Sequence, residues 1–417
     1  MQHYDIIIAG GGCAGLSLAY QLIHRPLRDR SILIVDRDDK DQNDRTWAFW
    51  TDATTPFQPV VHREWRQLCF RTETGKHLIP TDPWRYVMIR GDDWYRHIRQ
   101  LLAERPNVTW LKAPVKRIED EADGALVYID PDGHGPAPVT AYHGTWVFDS
   151  LFSILDFKPD AQATLYLQQH FKGWYIETPD DHFDVDAATI FDFRTPQAGE
   201  MRFFYLLPTS PRSALIEYVG LHLVDFDALL DAHIRNVLHV DEYKVVSDEI
   251  GITPMTDYAF PRQVGQHVMA IGIQGGLAKA TTGYAYTRIQ NDTAAIVASL
   301  IEYGHPFAVP RVNRAAYRVL DSVMLEVMQR NPTCLKPTFE AMFARNPGPR
   351  IFRFLDERAT FGEVLSLILT LPKRPFVLGA AQLAYSRSRA RLTGQSTSRP
   401  ARPASQSLDA GTLPPRP

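Results

Sequence analysis

The sequence predicts an α/β fold: a Rossmann-like nucleotide-binding domain, a β-sheet substrate domain inserted into it, and a C-terminal helical region. Three observations predict it. Residues 4–36 read strand, glycine turn, helix, strand. Residues 157–224 are mostly strand-like apolar runs. Residues 307–384 read as helices broken by Pro332, Pro337, Pro347, Pro349, Pro372 and Pro375. The implied boundaries are 1–50, 91–156 and 245–304 for the nucleotide domain, and 51–90 with 157–244 for the substrate domain. Residues 305–385 form the helical region and 386–417 a tail.

The first element is the most specific. Ile6 to Ala9 is dense in β-branched residues and suits a strand buried on both faces. It runs into Gly10-x-Gly12-x-x-Gly15, with Cys13 and Ala14 as small residues inside the turn. Gly10 allows the tight turn, Gly12 lets a pyrophosphate approach the backbone, and Gly15 lets the helix pack on the strand. Leu16, Ala19, Tyr20, Leu22 and Ile23 recur near helical spacing. That helix offers free N–H groups and a partial positive charge to phosphate. A second apolar run, Ile32 to Val35, ends at Asp36, an acid placed to accept from ribose hydroxyls. An acid there disfavours a 2′-phosphate, which fits FAD or NAD rather than NADP. With the motif so near residue 1, the chain is expected to begin with its own cofactor site.

Arg45-Thr46-Trp47-Ala48-Phe49-Trp50 follows a polar stretch. Its aromatics would line a flavin or an apolar pocket; the alternative is a loop anchored by core aromatics. Residues 51–90 hold short strands such as Gln67 to Thr72. Asp92 or Asp93 is expected to cap a helix carrying Trp94, Ile98, Leu101 and Leu102. Val108 to Leu111, Ala125 to Ile129 and Trp146 to Asp149 suggest a small meander, with a turn over Asp130 to Pro138.

Strands are expected over Ala163–Phe171, Thr189–Phe193, Met201–Pro208 and Ser213–Val219, then a helix over Phe226–Val240. Val268 to Gly272 is another buried-strand run. It leads into a second glycine loop with Gly275, Gly276, Thr281, Thr282 and Gly283, and a helix over Thr287–Tyr303. This unit is placed to meet the other end of a dinucleotide. Val364 to Leu371 is apolar, Lys373 and Arg374 follow, and Phe376 to Tyr385 is apolar again. Such a stretch suits a membrane interface or a core helix. From Ser386 onward the composition predicts disorder.

Composition excludes several classes. A net charge of −3 over 417 residues gives no case for a nucleic-acid partner. Cys13, Cys69 and Cys334 are far apart, without metal-ligand or disulfide spacing, so no metal is expected. Residues 1–15 lack a basic leader before an apolar segment, so no secretion signal is expected. No run of about eighteen apolar residues suggests a spanning helix.

Several blocks together resemble bacterial lycopene β-cyclases over roughly residues 1–300. They are the N-terminal glycine motif, Asp44 to Trp50, Phe171-Lys172-Gly173-Trp174-Tyr175-Ile176-Glu177, and Phe191-Asp192-Phe193. Leu215-Ile216-Glu217-Tyr218, Thr253 to Tyr258, and Gly275-Gly276 to Thr281-Thr282-Gly283-Tyr284 complete the set. The resemblance implies an FAD-binding fold of the flavin reductase and hydroxylase type. It implies a peripheral enzyme on the cytoplasmic side of the membrane that cyclises the ends of lycopene to β-ionone rings, giving γ- and β-carotene. The reaction is a non-redox isomerisation that needs reduced FAD, with NADPH or NADH as reductant. It also implies flavin contacts from Gly10, Gly12, Ala14, Gly15, Asp36, Arg45 and the second glycine loop. This sequence departs from the family pattern at Ala280, where proline is usual, and at Leu151-Phe152.

Cyclisation of an alkene needs a proton delivered, a cation held and a proton removed. A carboxylic acid in an apolar pocket suits the first step, because burial keeps it protonated. Glu217, within the apolar run Ala214 to Val219, is the leading candidate. Strand alternation alone would also allow it to face solvent. Asp192 and Glu177 are further candidates, each with a structural salt bridge as the alternative. Reduced flavin would stabilise the cation. Trp47, Phe49, Trp174, Phe203 and Tyr205 are candidate pocket-lining aromatics, with plain core as the alternative. Two other readings of the same fold stay open: a monooxygenase or polyprenyl reductase acting on a lipid, and a non-catalytic isoprenoid carrier.

Overall fold

The computed structural model describes residues 1–130, 139–312 and 314–392. Its first sheet has a parallel core ordered Val108–Lys112, Ile32–Asp36, Gln2–Ala9 and Thr140–Asp149. Val268–Ala270 joins in parallel beside the end of Thr140–Asp149. The first strand is buried on both faces, as its β-branched run requires. Ile6 and Ile8 pack toward the helices, Ile7 toward the opposite cluster. Helix Cys13–Ile23 lies close on this strand because Gly15 has no side chain; a Cβ there would stand 1.9 Å from the Gly10 carbonyl oxygen. Gly15→Ala is therefore expected to cost about 1–3 kcal/mol by overpacking, read as a lowered denaturant midpoint.

An antiparallel meander of Val115–Asp120, Ala125–Ile129 and Thr140–Asp149 extends the sheet. The meander differs from the one the sequence predicts. Val108–Lys112 pairs with Ile32–Asp36 in the main sheet, and the charged strand Val115–Asp120 takes its place in the meander. That strand is half-exposed at the sheet edge, which is why its sequence carries so many charges. The expected turn over Asp130 to Pro138 lies mostly outside the described residues.

The second sheet has seven strands, ordered Lys244–Thr256, Tyr166–Glu177, Ser213–Gly220, Phe203–Ser210, Ala188–Asp192, Gln67–Thr72 and Gly75–Pro80. Lys244–Thr256 was expected in the nucleotide domain. It instead pairs along its length with Tyr166–Glu177. A three-stranded sheet of Thr46–Thr51, Arg85–Arg90 and Val61–Trp65 joins segments assigned by sequence to different domains. Asp92 and Asp93 sit in the first turn of helix Gly91–Ala103 rather than capping it; Arg90 occupies the cap position.

The second sheet is covered on both faces. Helix Phe226–Asn236 buries Leu230 and Ile234 against Phe204, Ile216 and Tyr218. On the other face, the C-terminal helices Ala315–Arg330, Leu335–Arg345 and Gly348–Leu355 pack with Phe203, Leu207, Leu215 and Val219 in one core. Alternation along Ser213–Gly220 therefore buries both sets of side chains. Helices Phe361–Thr370 and Lys373–Leu392 follow, so residues 386–392 are helical. The rest of the expected tail, 393–417, lies outside the described residues.

Candidate active site

The parallel strands end at one crevice, the usual place for a ligand in an open α/β sheet. Gly10 follows Gln2–Ala9, Ser150 follows Thr140–Asp149, and Gly272 follows Val268–Ala270. A cavity of about 450 Å³ starts there, at Gly12, Cys13 and Ala14. It runs past Arg45, Trp47 and the second glycine loop to the face of the second sheet carrying Tyr205, Leu215, Glu217 and Glu249. That volume suits a small-molecule site.

The glycine-turn end has features that a dinucleotide site requires. A Cβ on Gly12 would find nothing within 4 Å, so the backbone there is open to a ligand. The first turn of helix Cys13–Ile23 has no side-chain cap, leaving its N–H groups for an anion. Asp36 accepts from the Gly11 N–H at 2.6 Å, which fixes the acid beside the glycine turn. Thr282 and Gly283 line the cavity with Arg45, whereas Gly275 and Gly276 form the turn behind it. Thr281 points away and donates to Asp321 at 3.1 Å. Cys13 lines the cavity, but burial pushes its thiol up to about 12, so it is no thiolate at neutral pH.

The far end is acidic and aromatic. Glu217 is half-buried and lines the cavity. Burial, then the Glu249 carboxylate beside it, hold its carboxyl well above the ordinary range. Glu249 is itself buried, at 5% exposure, and its carboxyl is likewise raised by burial. Three tyrosines face the pair. Tyr205 and Tyr284 hydroxyls are 2.9 Å apart, and Tyr86 lines the cavity beside them. An apolar wall of Phe171, Leu207, Leu215 and Val219 completes this end. The arrangement can hold a proton on a carboxyl next to an apolar guest, with aromatic rings in the same lining to meet a developing positive charge.

The sequence pattern of the family described as "Lycopene cyclase protein" matches residues 5–381. The chain belongs to the lycopene cyclase family. It is 23% identical over 318 residues to a chloroplastic neoxanthin synthase of Solanum lycopersicum, covering 72% of this chain and 61% of that protein. It thus spans about three-fifths of that relative's length. It is 24% identical over 308 residues to a lycopene beta-cyclase of Pantoea ananas, covering 68% and 71%. Among solved structures, a geranylgeranyl bacteriochlorophyll reductase-like protein from Thermoplasma acidophilum superposes with a TM-score of 0.58 at 13% identity. That match covers 88% of this chain and 96% of the other. A p-nitrophenol 4-monooxygenase from Pseudomonas putida gives 0.54 at 13% identity, covering 91% and 98%. The fold is that of flavoprotein hydroxylases and reductases, as the resemblance implied.

In this lycopene cyclase family member, the other carboxylate candidates lie away from the cavity. Asp192 is fully buried and is gripped by Arg194, with Nε at 2.9 Å and Nη2 at 2.6 Å, and His233 stands at 3.6 Å. Burial pushes the other way, but Arg194, donating to both oxygens, and the nearby His233 outweigh it and hold the Asp192 carboxyl far below the usual range. It is an ionised structural group, not a proton store. Asp192→Asn is expected to cost about 1–3 kcal/mol while leaving the cavity intact. Because the folded-state value is depressed, the Asp192 contribution is present above about pH 4 and lost as pH falls. A denaturation series against pH should show that acid limb shrink in the variant. Glu177 is exposed at a strand end.

Of the aromatic candidates, Trp47 and Tyr205 line the cavity. Phe49 is core, stacked on Tyr286 at 4.5 Å. Phe203 packs on Phe191 and Phe193 under the helices. Trp174 points to the opposite face of the sheet, near Tyr243. Sequence reasoning missed Glu249, Tyr86 and Tyr284 as a group with Glu217. The signal that could have found Glu249 is an acid two residues before Gly251 in a strand otherwise able to pair beside Gly173.

A buried ion cluster fixes the second glycine loop to the helical region. Lys279 Nζ lies 3.1 Å from both Asp321 oxygens and 3.0 Å from Glu357, which Arg288 also contacts at 2.9 Å. Asp321 and Glu357 sit on or between the C-terminal helices, so those helices set the position of the loop that closes the cavity.

Proposed function

We propose that this chain is a lycopene β-cyclase, an intramolecular lyase or isomerase that closes the ends of lycopene into β-ionone rings. The observation that carries this reading is Glu217: a carboxyl that burial holds above its ordinary range, lining with Glu249 and an apolar wall a cavity that begins at a glycine turn. Membership of the lycopene cyclase family and the likeness to a lycopene beta-cyclase support it.

Glu217 would give its proton to the terminal alkene of the bound carotene. The tyrosine faces of Tyr205 and Tyr284, with Trp47, would hold the cation during ring closure, and the apolar wall would exclude water that could trap it. Gly10, Gly12, Ala14, Gly15, Asp36 and Arg45 would hold FAD, with Thr282 and Gly283 on its other side. Reduced FAD would supply negative charge beside the cation, and NADPH or NADH would be its source of electrons.

The substrate is a bilayer-soluble hydrocarbon, so access from a membrane surface follows. Among the described residues no single helix is long and apolar enough to cross a membrane. Helices Phe361–Thr370 and Lys373–Leu392 instead bend by 113° and expose Phe361, Leu365, Leu369, Val377 and Leu378 beside Lys373 and Arg374. That pattern suits a membrane interface, and we propose peripheral attachment on the cytoplasmic side.

Expression in a lycopene-accumulating host, with pigments resolved by chromatography and mass, tests the assignment. A cyclase yields γ- or β-carotene isomeric with lycopene. A product gaining hydrogen or oxygen, with nicotinamide consumed in step, would make the protein a reductase or monooxygenase. Unchanged lycopene bound to folded protein would make it a carrier.

A further inference from the structure

Glu217 does not face the cavity alone. The register of three strands places Gly173 opposite both Glu217 and Glu249, so one row across the sheet reads Tyr205, Glu217, Gly173, Glu249. A Cβ at Gly173 would lie 3.3 Å from the Glu217 Cβ, 3.2 Å from the Glu249 Cγ and 2.9 Å from Leu215. The missing side chain leaves the room in which the two acids meet, and both carboxyls line the same cavity. One buried oxygen of Glu249 has no N–H or hydroxyl donor. A proton on the neighbouring carboxyl supplies one. Two carboxylates in contact inside an apolar cavity cannot both be ionised at small cost.

We infer that Glu249 is the positioning residue for the catalytic proton: it shares that proton with Glu217 across Gly173 and holds the negative charge of the pair. This rests on the reading of Glu217 as proton donor. The proton count closes without a co-reactant. The Glu217 O–H bond breaks and a C–H bond forms at the terminal alkene. The electrons of an internal double bond close the ring by a new C–C bond. A ring C–H bond then breaks, its electrons form the ring double bond, and the released proton returns to the pair. Transfer between the acids restores the starting state, so substrate and product are isomers.

The groups facing Glu217 are Glu249, Tyr86, Tyr205 and Tyr284, with Arg45 and Asp44 acting on Glu249 from beyond it. Among the described residues, Glu249 is the carboxylate whose charge acts on Glu217. Its negative charge favours the protonated donor, so activity persists as pH rises until Glu217 ionises. Without that charge Glu217 ionises at lower pH.

The test is Glu249→Gln in the full chain, with bound flavin measured by absorbance and turnover followed against pH. The expected result is normal flavin content, a loss of about 10²-fold or more at neutral pH, and an alkaline limb moved to lower pH. A merely structural Glu249 would not move that limb. Unchanged turnover with an unchanged limb overturns the inference. Should the variant fail to fold, infrared spectra of the wild type and Glu217→Gln decide it. A protonated-carboxyl band present near neutral pH in the wild type and absent in the variant supports the shared proton; its absence from the wild type overturns it. Glu217→Gln at full turnover would instead overturn the underlying assignment of the donor.

Discussion

Glu217→Gln is expected to lower cyclisation by about 10²–10⁴-fold, the span seen when a positioned acid is removed. The amide is nearly the same size and polar, so the row Tyr205, Glu217, Gly173, Glu249 should keep its packing. What disappears is the transferable proton. The glycine turn at Gly10 to Gly15 is at the other end of the cavity, so flavin absorbance should be retained. Turnover assays with matched flavin content would separate a lost proton from a lost cofactor. Normal turnover in this variant would remove Glu217 from the mechanism.

The largest stability effect is expected at Lys279. Its ammonium is buried, at 3% exposure, between Asp321 and Glu357, and it lies 5.6 Å from the Tyr317 ring centroid. Lys279→Met keeps the aliphatic stem but leaves two buried carboxylates with one cation, Arg288, which contacts Glu357. Breaking such a network from one side typically costs about 3–5 kcal/mol. A denaturant melt should show that loss. The second glycine loop should also loosen, so flavin affinity should fall with stability even though Lys279 does not line the cavity. A melt unchanged within error would mean the cluster does not hold the loop.

The nucleotide turn was legible in the sequence because its signal is local. Strand, glycines, helix and acid occur within 36 residues, and each has a backbone or charge requirement that neighbouring positions state. Glu217 was legible for a similar reason, as an acid inside an apolar run. The pair it forms was not. Glu217, Gly173 and Glu249 are far apart in the chain, and only strand register brings them into one row. Register depends on pairing, and a slip of one residue would have turned Glu249 to the other face.

The aromatic candidates divide for a related reason. The second sheet is covered on both sides, so alternation does not separate a pocket face from a polar face. Phe203 and Tyr205 share a face, yet helices cover Phe203 while Tyr205 meets the cavity. Trp174 lies on the reverse. Asp192 reads like Glu217 in sequence, an acid between two phenylalanines, but Arg194 two residues on supplies its partner. The strand Val115–Asp120 escaped notice because edge strands need little apolar surface.

Ring closure by this mechanism begins with a proton delivered to carbon and ends with a proton lost from carbon, with no net oxidation. Purified, flavin-reduced protein turning over lycopene in heavy water tests it most directly, with product analysed by mass. The expected product carries one solvent-derived deuterium for each ring formed and is otherwise isomeric with lycopene. A cyclised product without deuterium, or one gaining hydrogen pairs or oxygen, would contradict the account.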